Sequence, residues 1–382
     1  MTTDVDIEGV ILGGGCSGLS LGMQLARRGS RRRVVIIEPR TEYGDDRSWC
    51  FWASPDHGLA RRTTRQWPEW LFGAAGRSPI HHRCEHAPYQ YLRARDFYAE
   101  AGAWITADPN IELRQGTRAG AVHRSGDGVA VQTSAGMLSA RWVIDTRPPG
   151  ASAQALLYQC FEGHEVRPSP ATAPDPYRIE LMTDMRADDL GFVFSYVLPL
   201  TRERVLVEST RFAPEPVAPA RLTADTEALL DARGWRGAPR ERTERGVLPM
   251  GLVTDSAPET AGIVRAGIAG GGLRAASGYG FMRIQEWAHS CAEHLERTGR
   301  PLGHPPEPLV RRVMDRVFLQ AVRSNPERAA DFFLGVAGGL DAAAFVRFMT
   351  DGARPRDYLK VAASLPPGPF LRAVMKPRGG RE

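Results

Sequence analysis

Two short runs of apolar residues flank a helical pattern early in the chain. Residues 8–13 (EGVILG) and 34–38 (VVIIE) are continuous and apolar, as expected of strands that are buried on both faces. Between them, apolar residues recur at helical spacing from Leu19, and the pattern ends near Gly29. A helix between two buried strands is typical of a βαβ unit, so this part is predicted to form a parallel sheet.

The middle of the chain has a different pattern. Residues 155–212 are rich in strand-forming residues, and 191–198 and 204–210 are predicted to pair as an antiparallel hairpin. From about residue 307 the pattern is helical. The expected fold is therefore α/β, with a Rossmann-like domain, a strand-rich domain and a helical C-terminal region.

A glycine motif lies between the first strand and the first helix. Gly13, Gly15 and Gly18 form GxGxxG, and Glu38 stands twenty residues after Gly18, at the end of the next strand. These glycines permit a tight turn, close approach of a pyrophosphate, and close packing of the helix on the strand. Glu38 would bind ribose hydroxyls and repel a 2′-phosphate. The motif predicts a site for FAD or NAD, and the alternative is a glycine-rich turn without a ligand.

A second glycine-rich segment lies between residues 265 and 285. It contains Gly271 and Gly272 in a predicted turn, and a helix is predicted to start near Tyr279. Flavoproteins use a late segment of this type to close on the flavin, which favours FAD over NAD. Arg147 is a candidate contact of the cofactor. A flexible loop is the alternative interpretation of the segment.

These motifs imply a discontinuous cofactor-binding domain. It is predicted to comprise residues 1–45, 90–150 and 246–300. The strand-rich substrate domain is predicted at 46–89 and 151–245, and the helical region at 301–382.

Charge and cysteine usage exclude some classes of function. The formal net charge is +5, but the arginines are scattered, whereas nucleic-acid binding needs a clustered basic surface. The five cysteines are widely spaced without a CxxC pair, which predicts reduced thiols. The HHRCEH run at 81–86 is too compact for a tetrahedral zinc site. We therefore expect neither nucleic acid nor metal as a partner.

Nine segments, taken in order, resemble those of bacterial lycopene cyclases. They are GGGCSG (13–18) with Glu38, RSWCFW (47–52), YQYLRARDFY (89–98), VIDTRPP (143–149), QCFEG (159–163), SYVLPL (195–200), LVEST (206–210), GGGLRAASGYGF (270–281) and a helical tail with VFLQAV (317–322), NPERA (325–329) and FF (332–333). The resemblance covers nearly the whole chain, from about residue 7 to about 375. It implies a fold related to aromatic hydroxylases and geranylgeranyl reductases.

The resemblance also implies a reaction. The linear end of lycopene is protonated at a terminal double bond, the ring closes through a carbocation, and loss of a proton gives a β-ionone ring. The family uses reduced FAD, with NAD(P)H as the source of electrons, although the reaction has no net redox change.

The acid must stay protonated near neutral pH, and a carboxyl in an apolar pocket meets that requirement. Glu208 is the candidate, because it lies in an apolar strand and in the segment that matches the family's acidic motif. Taken alone, the strand also permits a surface glutamate. Asp184 is a second candidate, either to tune the acid or the flavin or as a turn residue. A set of aromatic residues can line the pocket and stabilise a cation, or simply pack the core: Trp49, Phe51, Trp52, Phe161 and Tyr196.

A C40 polyene resides in the bilayer, so we expect a cytoplasmic protein that is attached peripherally to the inner face of the membrane. No run approaches the roughly 18 apolar residues of a spanning helix, and the N-terminal residues do not resemble a signal peptide. Apolar residues from Leu309 to Ala321 recur at helical spacing beside Arg311, Arg312 and Arg316, which is typical of a membrane-surface helix or of a packed helical cap.

Four other functions remain open from the sequence. They are a flavin monooxygenase, a saturase of the geranylgeranyl-reductase kind, a cyclase of another terpenoid, and a non-catalytic FAD-binding module.

Overall fold

The computed structural model describes residues 7–150, 153–253 and 262–375. The strands are β1 (Gly9–Leu12), β2 (Val34–Ile37), β3 (Ser48–Trp52), β4 (Arg65–Trp67), β5 (Glu69–Phe72), β6 (Ile80–Arg83), β7 (Tyr89–Arg93), β8 (Ile111–Arg114), β9 (Ala119–Ser125), β10 (Gly128–Thr133), β11 (Gly136–Ala140), β12 (Trp142–Asp145), β13 (Gln154–Val166), β14 (Arg178–Asp188), β15 (Gly191–Pro199), β16 (Val205–Ala213), β17 (Arg240–Val253) and β18 (Ile263–Arg265). The helices are α1 (Cys16–Arg27), α2 (Ala94–Ala107), α3 (Pro219–Ala232), α4 (Phe281–Thr298), α5 (Leu309–Ser324), α6 (Ala329–Gly339), α7 (Ala342–Met349), α8 (Pro355–Ser364) and α9 (Pro367–Met375).

The parallel sheet has the order β18-β12-β1-β2-β8. Every residue of β1 and β2 is buried, because both faces of the sheet are covered. Ile11 and Ile36 point into the core formed with α1, α2 and α4, whereas Val10 and Val35 pack under the small sheet β11-β10-β9. Burial on both faces explains why the sequence shows continuous apolar runs here, and the predicted Rossmann-like domain is confirmed.

The strand-rich domain is a seven-stranded sheet in the order β17-β13-β16-β15-β14-β5-β6. The β15–β16 hairpin pairs Phe192 with Phe212 and Tyr196 with Glu208. Residues 246–253 were expected in the cofactor-binding domain, but they continue β17 and belong to this sheet, because they pair with β13. A three-stranded sheet, β3-β7-β4, contributes to both large cores: Trp52 and Tyr89 pack in the core of the seven-stranded sheet, and Phe51 and Leu92 in that of the parallel sheet.

Helices α5 to α9 pack on one face of the seven-stranded sheet. Phe332, Phe345 and Leu319 are buried in the same core as Phe192 and Phe212 of the hairpin. The helical C-terminal region is thus a cap on the sheet. Among the helices of the described ranges, no single one is long and apolar enough to cross a membrane. The segments Pro326–Gly339 and Ala342–Met349 meet that length and composition only as a pair, and the pair is bent by 117°.

Candidate active site

The first glycine turn leaves its backbone open. Gly13 has a φ of +98°, which a side chain would strain, and a Cβ on Gly18 would stand 1.9 Å from the Gly13 carbonyl oxygen. A Cβ on Gly15, in contrast, has no described heavy atom within 4 Å. Gly15 is also the residue before helix α1, whose first N–H groups carry a partial positive charge. The turn fits the pyrophosphate of a dinucleotide.

Glu38 is buried at the end of β2 and accepts hydrogen bonds. Its Oε2 receives the Gly14 N–H at 2.7 Å, and its Oε1 receives Arg40 Nε at 2.7 Å. Burial alone would raise the pKa of Glu38, but the bonds from Arg40 and Gly14 outweigh it and lower the pKa, so the group is anionic. Arg40 was missed in the sequence, and it places a cation beside the residue expected to repel a 2′-phosphate.

The second glycine segment lies against the first. A Cβ on Gly267 would stand 2.9 Å from Ser17 Oγ, and one on Gly272 would stand 2.8 Å from the Gly267 carbonyl oxygen. Gly271 has a φ of +88° with open space at its Cβ position, and the long helix α4 begins at Phe281. Two glycine turns and two helix N-termini therefore meet at the carboxyl edge of the parallel sheet, an arrangement that fits an adenine dinucleotide cofactor.

An apolar cavity of about 370 Å³ lies between the seven-stranded sheet and the helical cap. Its walls are mostly aromatic and aliphatic, and they include Phe72, Phe212, Phe318, Phe333, Phe345 and Phe370. Trp52, Tyr196 and Tyr279 line one part. Val313 of α5 and Val374 of α9 also line it, and they are 47% and 62% exposed, so the cavity reaches the protein surface at these two residues.

Glu208 lies beside the tyrosines of this cavity. Tyr196 is its neighbour on β15, and Thr210 Oγ1 donates a hydrogen bond to Glu208 Oε1 at 2.7 Å. Burial, and then the charge of Glu244, raise the pKa of Glu208 to about 8. Burial likewise raises the pKa of Tyr196 and Tyr279, and a charge on Glu208 adds to both shifts. The arrangement keeps a carboxyl protonated at neutral pH next to an apolar cavity.

A protein-family model described as "Lycopene cyclase protein" matches residues 6–375. The chain belongs to this family. It is 26% identical over 312 residues to a lycopene beta-cyclase of Pseudescherichia vulneris, covering 77% of this chain and 75% of that one. It is 23% identical over 389 residues to a lycopene beta-cyclase of Pantoea ananas, covering 96% of each.

Solved structures share the fold. A geranylgeranyl bacteriochlorophyll reductase-like protein from Thermoplasma acidophilum superimposes with a TM-score of 0.59 at 13% identity, covering 96% of this chain and 98% of that one. A p-nitrophenol 4-monooxygenase from Pseudomonas putida gives a TM-score of 0.57 at 15% identity and 98% coverage of both. The predicted relation in fold to hydroxylases and geranylgeranyl reductases is confirmed.

The predicted cofactor contact of Arg147 is not supported by its position. Its guanidinium pairs with Asp145 at 2.7 Å and donates to the carbonyls of Ala119 and Gly120, so it points to the small β9–β11 sheet. Arg274, in the second glycine segment, pairs with Asp315 of α5 at 3.1 Å and donates to the Phe348 carbonyl of α7. It ties that segment to the cap.

The five aromatic candidates separate into different environments. Trp52 and Tyr196 line the large cavity, and Trp52 also lines a second one of about 340 Å³ together with Phe51. Trp49 packs 5.3 Å from the Phe281 ring in the core of the cofactor-binding domain. The Phe161 ring packs on the backbone of Gly246, and a Cβ on Gly246 would stand only 2.4 Å from that ring. The substrate role of the last two is therefore not supported by their packing.

Asp184 lies on the opposite face of the sheet from Glu208. Its carboxylate accepts hydrogen bonds from Ser195 Oγ and from Arg233 Nη2, the latter at 2.7 Å. Ser195 precedes Tyr196 in β15, so the two side chains point to opposite faces. Burial alone would raise the pKa of Asp184, but Ser195 and Arg233 lower it. The expectation that Asp184 acts with Glu208 is corrected: here it is part of an outer ion pair.

Sequence reasoning missed a buried polar network beside Glu208. It consists of Ser48, Tyr91, Glu165, Arg242 and Glu244. A signal was present, because Arg242 and Glu244 alternate along β17 and therefore share one face, where a half-buried strand would carry apolar residues.

Proposed function

We propose that this protein is a lycopene β-cyclase, which converts the linear ends of lycopene or a related acyclic carotenoid into β-ionone rings. The observation that carries the proposal is the position of Glu208, a carboxyl with a pKa of about 8 beside an apolar cavity. Membership of the lycopene cyclase family, and relatives named lycopene beta-cyclase, support the choice of substrate.

In this proposal Glu208 donates its proton to the terminal double bond of the polyene. The neighbouring double bond attacks the resulting cation and closes the ring, and a ring carbon then loses a proton to leave the alkene. Glu208, now a carboxylate, is the base available to accept it. Glu208 thus regains the proton that it donated, so charge is conserved and the reaction has no net redox change.

The cavity walls assist this chemistry in two ways. The faces of Trp52, Tyr196 and Tyr279 border the cavity near Glu208, and an aromatic face stabilises a nearby cation. The apolar remainder excludes water, which would otherwise quench the carbocation. Both effects favour ring closure over hydration.

The cofactor proposal is FAD held by Gly13, Gly15 and Gly18 at its pyrophosphate, by Glu38 at its ribose, and by the Gly271–Gly272 turn. Gly15 and Gly271 have the open backbone that close approach of such a group needs. The chemistry that reduced FAD supplies when bound is negative charge beside the cation, with NAD(P)H as the proposed source of electrons.

The proposed site of attachment to the membrane is the outer surface of α5, α8 and α9. Leu309, Val310, Leu371 and Met375 are all more than half exposed there, near the cavity opening. The exposed charges of these helices include Arg312, Arg356, Lys360 and Arg372, whereas their carboxylates, Asp315 and Asp357, are buried in ion pairs. Exposed apolar side chains among cations match an anionic bilayer surface.

The deciding experiment is anaerobic incubation of the purified protein with lycopene, FAD and NADPH, followed by chromatography and mass spectrometry. A cyclase gives products of unchanged mass, and the NADPH oxidised does not scale with the rings formed. A mass gain of two hydrogens with one NADPH per product would identify a saturase. An oxygenated product that requires O₂ would identify a monooxygenase, and either result would refute the proposal.

A further inference from the structure

The half-buried Glu208 and a second, buried carboxyl, Glu244, flank one glycine. In the seven-stranded sheet, Gly163 of β13 pairs with Glu208 of β16 on one side and with Glu244 of β17 on the other. Residues paired directly across strands point to the same face, so the three form one row. A Cβ on Gly163 would stand 3.3 Å from both Glu208 Cβ and Glu244 Cγ. Because Gly163 has no side chain, no side-chain atom of the middle strand stands between Glu208 and Glu244 in this row.

The two carboxyls have unequal partners. Glu244 Oε2 accepts from Arg242 Nη1 at 2.8 Å and from Ser48 Oγ at 2.8 Å. Glu208 accepts from the neutral Thr210 hydroxyl, and no described cation is in ion-pair contact with it. Burial raises the pKa of Glu244 as well, but the charge of Arg242 and the bonds from Ser48 and Arg242 oppose that rise. Glu208 has no such cation in contact among the described residues, so the negative charge of the pair belongs on Glu244 and the proton on Glu208.

Arg242 is itself held firmly. Glu165, which is fully buried, accepts from Arg242 Nε at 2.8 Å, and Arg242 Nη2 donates to Ser48 Oγ at 2.7 Å and to Tyr91 Oη at 3.0 Å. The guanidinium is therefore fixed beside Glu244 and away from ion-pair contact with Glu208.

We propose that Glu244 is a positioning residue, whose fixed negative charge across Gly163 keeps the catalytic proton on Glu208. The inference rests on the proposed role of Glu208 as the acid. Glu244 itself touches neither cofactor nor substrate in this proposal. It acts through the like charge that it presents to Glu208.

Other groups that titrate or carry charge around the pair come from each packed element. They are Cys50 of β3, Tyr89 and Tyr91 of β7, Glu165 of β13, Tyr196 of β15, Arg242 of β17, Tyr279 of the second glycine segment, and Arg93, which lies beyond Glu165. Burial raises the pKa of Cys50, Tyr89, Tyr196 and Tyr279, so these groups are neutral near pH 7. Glu244 is thus the anion that shares a row with Glu208 across Gly163, whereas Glu165 lies in the next row on that face, paired with Leu206 and Arg242.

The test is Glu244→Gln, which keeps the shape and the bond to Ser48 but removes the charge. Without the neighbouring anion, the pKa of Glu208 falls, so the basic limb of the pH–rate profile moves to lower pH. Nearby charges shift a pKa by about 1–3 units, so a shift of about one unit is expected, with about fivefold less activity at pH 8 and little change near pH 6. Glu244→Asp, which retains the charge, should restore the parent profile.

A second readout does not depend on turnover. Infrared difference titration of the protonated carboxyl band, assigned by its loss in Glu208→Gln, reports the protonation of Glu208 directly. In Glu244→Gln this band should disappear at lower pH. If the band shifts as expected but lycopene is not cyclised, the carboxyl pair stands and the proposed function fails.

Glu165→Gln is the matched control, because it removes a carboxylate of the same network that is not paired in the Gly163 row. It should shift the titration much less than Glu244→Gln. An unchanged titration in Glu244→Gln, or equal shifts in both variants, would overturn the proposal. Should Glu244→Gln fail to fold, Glu244→Ser serves instead: it removes the same charge with a smaller side chain and should lower the pKa of Glu208, and a titration equal to the parent's would overturn the proposal.

Discussion

The proposed cofactor site and the proposed substrate cavity are formed in opposite ways, one by the absence of side chains and the other by large side chains. At the cofactor end, glycines create room by lacking side chains: a Cβ on Gly15 meets open space, and one on Gly18 would clash with Gly13. At the proposed substrate end, large side chains from β15, α5 and α7 enclose the cavity, and burial raises the pKa of Glu208 so that it keeps its proton. Side chains added at the glycine turns should therefore weaken cofactor binding. Loss of the Glu208 proton, or a change in the cavity walls, should instead reduce turnover.

The largest expected effect is at the substrate end. Glu208→Gln retains shape but has no transferable proton, and general acid catalysis is worth about 10² to 10⁴ in rate. Flavin binding should be unchanged, because the glycine turns lie in other segments. Glu208→Asp should leave a partial activity, about 10²-fold reduced by misplacement of roughly 1 Å. Cyclisation rate and flavin absorbance measure both, and a Gln variant above about a tenth of the parent rate would exclude this role.

At the cofactor end, Gly15→Val should place a side chain in the space for the pyrophosphate. Losing one hydrogen bond to a charged group costs about 1.5–3 kcal/mol, so FAD affinity should fall by about 10- to 100-fold. The fold of the apoprotein should be unaffected, in contrast to Gly18→Ala, whose Cβ meets backbone at 1.9 Å. Flavin titration and thermal unfolding separate the two outcomes. Full flavin occupancy in Gly15→Val would refute the assignment of this turn.

A milder change should affect the opening of the cavity. Val313→Trp adds bulk to a lining residue that is 47% exposed, so it should obstruct the polyene without destabilising the core. Loss of contact equal to about two methylene groups is worth roughly 1.6 kcal/mol, or about a tenfold rise in KM. The control is Val310→Trp on the same helix, which is 57% exposed and does not line the cavity. Equal KM values for both variants would show that the polyene does not pass this rim.

The smallest effect is expected at the cationic surface beside that opening. Each arginine near an anionic bilayer contributes about 1 kcal/mol, so Arg312→Gln or Arg372→Gln should each weaken binding to anionic liposomes about fivefold. Arg61→Gln, an exposed arginine of the 3-10 turn Ala60–Arg62, should have no effect. Co-sedimentation at low and high salt measures this. Equal binding to neutral and anionic vesicles would show that these arginines do not contribute to membrane binding.

The contrast also explains what the sequence could predict. The glycine turns and the β15–β16 hairpin depend on neighbours close in the chain, so local patterns indicate them. The face of Asp184 could not be read from a period of two, because the pairing of β14 with β15 is irregular between Glu180 and Arg186. The Glu208–Gly163–Glu244 row needs the pairing of three strands that are distant in sequence, and no local pattern contains that pairing.

The ion pair between Arg274 and Asp315 has a thermodynamic consequence. It joins the glycine segment proposed to close on the flavin to α5, the helix that carries Val313 at the cavity opening. A ligand that orders one side of this buried link lowers the cost of ordering the other, and such coupling is reciprocal for binding equilibria. If bound FAD changes the affinity for the polyene by some factor, bound polyene must change the affinity for FAD by the same factor. Replacing Asp315 by Asn should reduce both factors together.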